Sequence, residues 1–245
     1  MLEIRHFSKT YAGGKRAVDD LSLTVEAGSI YGFIGPNGAG KTTTLRSAAG
    51  ILSFEEGDIL IDGHSVRREP IAAKQITAFL PDNPDLYDFL SGIAYLNFIA
   101  DLYGIPGALR AERIQKYADA FALTGALGSP VSGYSHGMKQ KLALISALMR
   151  EPRLLILDEP FVGLDPLASH LLKDYLHELC AAGSAVFFST HVLEVAQKLC
   201  DHIGIIRGGR LIESGRTADV VGNSSLEDVF LDLARQGETD AGTEA

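Results

Sequence analysis

The chain has 245 residues and a net charge of −9 at pH 7, with 22 Lys+Arg against 31 Asp+Glu and 46% apolar residues. That length buries one substantial core, and the composition excludes a disordered, collagen-like or disulfide-stapled chain. The acidic balance argues against broad nucleic-acid binding through a basic surface, and no polybasic segment offers anionic lipid a docking patch. The 26 glycines are the one lead, because glycine collects where backbone must approach phosphate.

The predicted elements begin with two alternating strands, Leu2–Phe7 and Leu21–Val25, joined through the turn-rich Tyr11-Ala12-Gly13-Gly14. The stretch before Thr10 lacks the apolar core of a signal peptide. Ser29–Ile34 reads as a buried strand running into a glycine loop, and Thr42–Ala49 as a helix stopped by Gly50. Asp58–Ile61 and Ile76–Leu80 are short strands, the second closed by Pro81 and Pro84. From Leu90 to Leu127 the period turns helical, with Ile93, Leu96, Ile99, Ala100 and Tyr103 on one face and Ile114, Tyr117, Ala118 and Phe121 on another. Met138–Met149 is a further helix, Leu154–Leu157 an apolar strand, Leu171–Ala182 a helix and Ala185–Ser189 a buried strand. A hairpin through Gly208-Gly209 joins Ile203–Ile206 to Leu211–Glu213, and a capped helix covers Ser224–Ala234. No stretch reaches the ~18 apolar residues that span a membrane. Cys180 and Cys200, far apart, read as buried free thiols. The alternation predicts an α/β fold with a mostly parallel sheet covered on both faces, a helical lobe inserted at about 85–150, and a polar tail at 236–245.

Gly35-Pro36-Asn37-Gly38-Ala39-Gly40-Lys41-Thr42 matches G-x-x-x-x-G-K-[ST] between a strand and a helix. Gly35, Gly38 and Gly40 let backbone N–H groups wrap a phosphate, and the helix beginning near Lys41 adds its partial positive charge. In such a P-loop Lys41 bridges the β- and γ-phosphates of ATP, the Thr42 hydroxyl ligates Mg²⁺, and Thr43 reaches the α-phosphate. The apolar strand Leu154–Leu157 ends in Asp158-Glu159. Adjacent carboxylates repel and call for a nearby cation, which fits Asp158 as a metal ligand through water and Glu159 as the group that polarises attacking water.

Over about residues 2–234 the sequence resembles the nucleotide-binding subunits of ATP-binding-cassette (ABC) transporters. Beyond the two motifs above, the resemblance rests on Tyr134-Ser135-His136-Gly137-Met138 as the family's signature, Gly163-Leu164-Asp165 as its D-loop, and Ser189-Thr190-His191 as its switch histidine. It implies a P-loop ATPase core with an N-terminal antiparallel β subdomain and an inserted helical lobe, one domain over residues 1–235. It further implies that Ser135 and Gly137 meet the γ-phosphate of ATP held by a second subunit, that Asp165 contacts that subunit, and that His191 holds the γ-phosphate. Tyr11 is expected to stack on adenine with Val18 beside it. Asp165 followed by Pro166 is equally a helix cap, and Ser135 an ordinary N-cap. The family's usual glutamine is replaced by Asp82 in Leu80-Pro81-Asp82-Asn83-Pro84, an acid able to hold Mg²⁺ through water.

The implied partners are an integral membrane permease on a separate chain and a second ATPase subunit, identical or a close paralogue, with no nucleic acid. The implied location is the cytoplasmic side of the membrane, through the permease. The string at 134–140, the Pro-Asp-Asn-Pro stretch and Ser225–Phe230 most resemble bacterial exporter-type subunits. Leu86, Tyr87 and Phe89 are expected to be exposed, either docking the permease or anchoring the lobe. A non-transport ABC-type ATPase acting as a switch is the alternative, and a nucleotide-binding module without turnover a third. Asp82→Ala is expected to lower ATP turnover more than ATP affinity, and equal turnover in variant and wild type removes Asp82 from the mechanism.

Overall fold

The structure, a computed structural model, describes the backbone of residues 1–241 and the side chains of residues 1–233. In chain order it forms β1 (Leu2–Thr10), β2 (Arg16–Val25), β3 (Ile30–Ile34), α1 (Lys41–Ala48), β4 (Glu56–Ile61), β5 (His64–Ser65), α2 (Pro70–Gln75) and β6 (Thr77–Leu80). There follow α3 (Gly92–Leu102), α4 (Gly107–Ala120), α5 (His136–Leu148), β7 (Leu154–Asp158), α6 (Pro166–Ala181) and β8 (Ala185–Thr190). The chain closes with α7 (Leu193–Leu199), β9 (His202–Arg207), β10 (Arg210–Arg216), α8 (Thr217–Val221) and α9 (Leu226–Ala241).

The strands make two sheets. One is antiparallel, in the order β2-β1-β4-β5. The other runs β10-β9-β3-β8-β7-β6, parallel throughout except for the terminal β9–β10 hairpin. The expected α/β architecture is therefore present, including the antiparallel N-terminal sheet.

Strands β3, β7 and β8 are buried at every residue, the signature of a sheet covered on both faces. Their side chains alternate between two cores. Ile30, Ile34, Leu155, Leu157, Val186 and Phe188 face the core shared with α3–α7. Tyr31, Phe33, Leu154, Ile156, Ala185 and Phe187 face the core shared with α1 and the antiparallel sheet. A period of two along each strand puts consecutive residues on opposite faces. Phe187 locks the second core, its ring 5.5 Å from Phe33 and 5.8 Å from Tyr31.

The parallel register fixes what meets at the sheet's carboxyl edge. Ile34 pairs with Thr190, and Asp158 with Ser189. The loop after β3, the acids ending β7 and the Ser189–His191 stretch thus emerge side by side, at the edge where open α/β sheets bind ligands.

Several elements differ from the sequence expectation. Short helices α2, α7 and α8 were not signalled, because five to seven residues carry too little of a 3.6 period. Helix α6 begins at Pro166, earlier than the apolar repeat from Leu171 indicated but where the Asp165-Pro166 cap placed it, with Asp165 accepting from the Ala168 N–H at 2.9 Å. Helix α9 continues to Ala241, beyond the end expected near Ala234, and residues 242–245 of the expected tail lie outside the described residues. Cys180 and Cys200 are buried and free, as read. Burial pushes the Cys180 thiol up to about 12 and that of Cys200 upward too.

Candidate functional site

The glycine loop is built by close approach. A Cβ on Gly35 would stand 2.3 Å from the Ile206 carbonyl oxygen, and one on Gly40 would stand 2.6 Å from that of Ala17. Gly40 is also left-handed, at φ 112°, and serves as N-cap of α1. Only glycine allows the loop to seat against β2 and β9 and turn directly into the helix.

Lys41 is buried, with Nζ donating to the carbonyls of Gly35 at 2.7 Å and Pro36 at 3.3 Å. The same ammonium lies 3.6 Å from Glu159 Oε1, whose other oxygen is 3.0 Å from His191 Nδ1. Lysine from the start of α1 and glutamate and histidine from the loops after β7 and β8 thus form one chain of contacts.

Glu159 holds a left-handed backbone, φ 48°, that costs a non-glycine residue about 1–3 kcal/mol. Its N–H is held by the Ser189 carbonyl at 3.3 Å and the Ser189 hydroxyl at 3.1 Å. The Ser189 hydroxyl in turn donates to Asp158 Oδ1 at 2.5 Å. Ser189 was legible only as part of the switch motif. Its pairing with Asp158 is what makes it the brace of both acids.

Of these groups, Gly40, Lys41 and Glu159 line a groove of about 260 Å³ with Tyr11, Asn37, Gly38, Thr42, Thr43 and Asp82. The Tyr11 hydroxyl lies 3.1 Å from Thr43 Oγ1 while its ring stays 40% exposed, free to stack. Asp82 is exposed on the groove wall, with one oxygen accepting from the Asn83 N–H at 2.9 Å. Val18 is not part of this wall. It is fully buried in the core beneath the loop, and Lys15 and Ala17 line the groove in its place. Ala39 is likewise buried and shapes the loop from behind. A larger cavity of about 780 Å³ lies at the opposite edge, near Asp201, His202 and Arg216, away from every motif.

The groove residues fit a magnesium–nucleotide pair. Asp158 is 1% exposed, and its Oδ2 has no hydrogen-bond partner among the described residues. A buried carboxylate oxygen with nothing to accept from suits a hard cation or its water. Among the described residues no three acids, histidines or cysteines cluster as a metal cage. That accords with a cation held by one or two carboxylates, a hydroxyl and substrate phosphates.

The remaining expected residues lie outside this groove. Ser135 caps α5, accepting from the Met138 N–H at 3.3 Å. A Cβ on Gly137 would come 3.0 Å from the Gly163 carbonyl, so the signature turn packs on the 163–165 loop. Asp165 caps α6 and pairs with Lys141 at 2.6 Å, and these bonds hold its carboxyl below the usual range. Leu86, expected at the surface, is 8% exposed and belongs to the core, whereas Tyr87 and Phe89 are 48% and 82% exposed. Pro84 and Leu86 turn inward while Asp85 between them stays exposed, which the apolar run Leu86-Tyr87 did not distinguish.

Residues 18–162 match the profile of the family described as ABC transporter. The chain is 38% identical over 220 residues to the uncharacterized ABC transporter ATP-binding protein YhcH of Bacillus subtilis, covering 89% of this chain and 71% of that one. It is 35% identical over 221 residues to the Nod factor export ATP-binding protein I of Cupriavidus metallidurans, covering 90% and 73% of the two chains. Among solved structures, an ATP binding subunit of an ABC transporter superposes with a TM-score of 0.91 at 33% identity, covering 96% of this chain and 99% of the other.

Removing the Ser189 hydroxyl strips a buried carboxylate of the one side-chain donor it has among the described residues. Ser189→Ala is expected to lower unfolding stability by about 2 kcal/mol in urea denaturation, and an unchanged midpoint and slope would show that the brace contributes nothing.

Proposed function

Because the chain belongs to the ABC transporter family, we propose that it is the ATP-hydrolysing subunit that powers export through a membrane permease on a separate polypeptide. ATP binding and ATPase chemistry come with the family. The observation that carries the hydrolytic role of these residues is the Lys41–Glu159–His191 chain of contacts at the mouth of the glycine loop.

In this reading the loop N–H groups and Lys41 bind the β- and γ-phosphates, and Tyr11 stacks on adenine. Thr42 and Asp158 hold Mg²⁺, with Asp82 at the groove wall. The bound cation supplies charge neutralisation to the phosphates. Glu159, kept by Ser189 on its left-handed backbone, accepts a proton from the attacking water. His191 keeps the Glu159 carboxylate aimed and donates toward the γ-phosphate. Lys41 stabilises the charge that develops on transfer.

Ser135 and Gly137 sit on another face, so one chain presents the two halves of a site without joining them. Two copies packed head to tail complete two sites, each taking Ser135, Gly137 and Asp165 from the other chain. Loss of the γ-phosphate removes the contacts that bridge the copies, a ligand-biased two-state switch. Residues 1–235 act as one ATPase domain, with the lobe at about 85–150 as the arm that carries the signature.

Among the described residues no helix is long and apolar enough to cross a membrane. The permease contact we assign to Tyr87, Phe89 and Phe98, residues 43–82% exposed, with the Tyr87 ring 5.9 Å from that of Phe89 and 5.5 Å from that of Phe98. Leu102, 64% exposed and one turn beyond Phe98 on α3, extends this patch toward Ile71, 74% exposed, across a groove of about 630 Å³. Contiguous exposed aromatics suit a protein partner, which favours transport over a free-standing switch. The relative named for Nod factor export and the exporter-like strings support the outward direction.

Glu159→Gln is expected to cut phosphate release at least about a hundredfold and to accumulate as an ATP-bound dimer in size-exclusion chromatography with light scattering. A variant that stays monomeric with saturating ATP would contradict the two-copy site.

A further inference from the structure

The loop that bears the aromatic patch is stitched to the loop that leads into the signature turn. The Ser132 N–H donates to the Asp88 carbonyl at 3.0 Å and the Val131 N–H to that of Leu90 at 2.8 Å. The Gly92 N–H donates to the Ser129 carbonyl at 3.2 Å and the Ile93 N–H to that of Leu127 at 2.8 Å. The Tyr134 hydroxyl donates to the Ala126 carbonyl at 2.6 Å, and a Cβ on Gly92 would stand 2.3 Å from that hydroxyl, so the two loops touch at full contact.

One side-chain bond completes the seam. Lys139, in the first turn of α5, donates to Asp88 Oδ1 at 2.7 Å. Asp88 lies between Tyr87 and Phe89 in the sequence. Two residues further along α5, Lys141 pairs with Asp165 at 2.6 Å. Two residues turn a helix by about 200°, so the lysines leave α5 on opposite sides. The first two turns of α5, with Ser135 at the cap, are thus held between two carboxylates, one on the patch loop and one on the cap of α6.

We propose that Asp88 and Lys139 are positioning residues that fix Ser135, and that through them the aromatic patch and the signature turn move as one body. Ser135 touches no group of its own chain's groove, so its placement matters only toward a second copy. The inference rests on the two-copy reading above. Displacement of Tyr87 and Phe89 by a partner then reaches the γ-phosphate site of the other chain through one ion pair and the backbone seam, without crossing the sheet. A partly exposed pair contributes a factor of up to about five. Here the backbone bonds already order both loops, so little conformational freedom is lost in forming it.

The test uses the full chain carrying Glu159→Gln, with Asp88→Lys, Lys139→Asp and the exchanged pair added. Each single change is expected to raise the ATP needed for half-maximal dimerisation about fivefold, leave binding of a fluorescent ADP analogue to the monomer unchanged, and speed amide exchange across 87–93 and 129–138 together. The exchanged pair restores all three. Single variants that dimerise and exchange hydrogen like the parent overturn the proposal, as does an exchanged pair that remains as defective as the singles. A parent chain that fails to dimerise with ATP overturns the two-copy reading instead, and coupled amide exchange in the monomer then still decides whether the pair holds the turn.

Discussion

Everything at this site depends on placing a carboxylate at the end of a wholly apolar strand. Leu154–Leu157 are buried on both faces, and Asp158 follows them into the same burial with one oxygen unpaired among the described residues. Removing a carboxylate from water costs several kcal/mol unless charge and hydrogen bonds offset it. The fold supplies an offset from the neighbour that the parallel register brings level, the Ser189 hydroxyl of β8, while the Lys41 ammonium from the helix after β3 stands beside the adjacent Glu159. Because β7 lies between β6 and β8, the acid cannot swing out to solvent. A cation at the groove meets a ligand already in position, and no reorganisation is required at the reacting centre.

The same logic resolves the apparent conflict between a net charge of −9 and an anionic substrate. The whole-chain charge acts at a distance and is screened within about 10 Å at 0.1 M salt. At the groove the field is set by loop N–H dipoles, the start of α1 and a buried lysine. The chain also splits its chemistry in two. Lys41, Glu159 and His191 converge at the sheet edge, while Ser135 and Asp165 cap helices that share a second surface. Under the proposed reading, a molecule built this way holds nucleotide alone and takes another copy to surround it.

Much of this was legible in the sequence because the governing signals are local. The glycine loop carries its own reason, since Gly35 and Gly40 leave no space for a side chain, and the strand–loop–helix context identified it. The acids after an apolar run and the Asp165-Pro166 cap are equally local. What escaped were consequences of packing between distant segments. Ser189 is an ordinary serine until the register sets it beside Asp158, and the Asp88–Lys139 pair joins residues 51 positions apart. Leu86 reads like its exposed neighbours until the chain turns it inward, and Val18 reads as groove wall until β2 buries it under the loop. Gln140, fully buried with neither amide atom partnered among the described residues, left no trace in the sequence pattern.

An active site shared between two chains, as proposed above, ties turnover to protein concentration. The measurement is the rate of phosphate release per chain at saturating ATP and magnesium, followed across a wide range of protein concentration. A shared site gives a specific activity that rises with concentration and levels off as dimers fill. A specific activity that stays constant down to concentrations at which the chain is monomeric would contradict it.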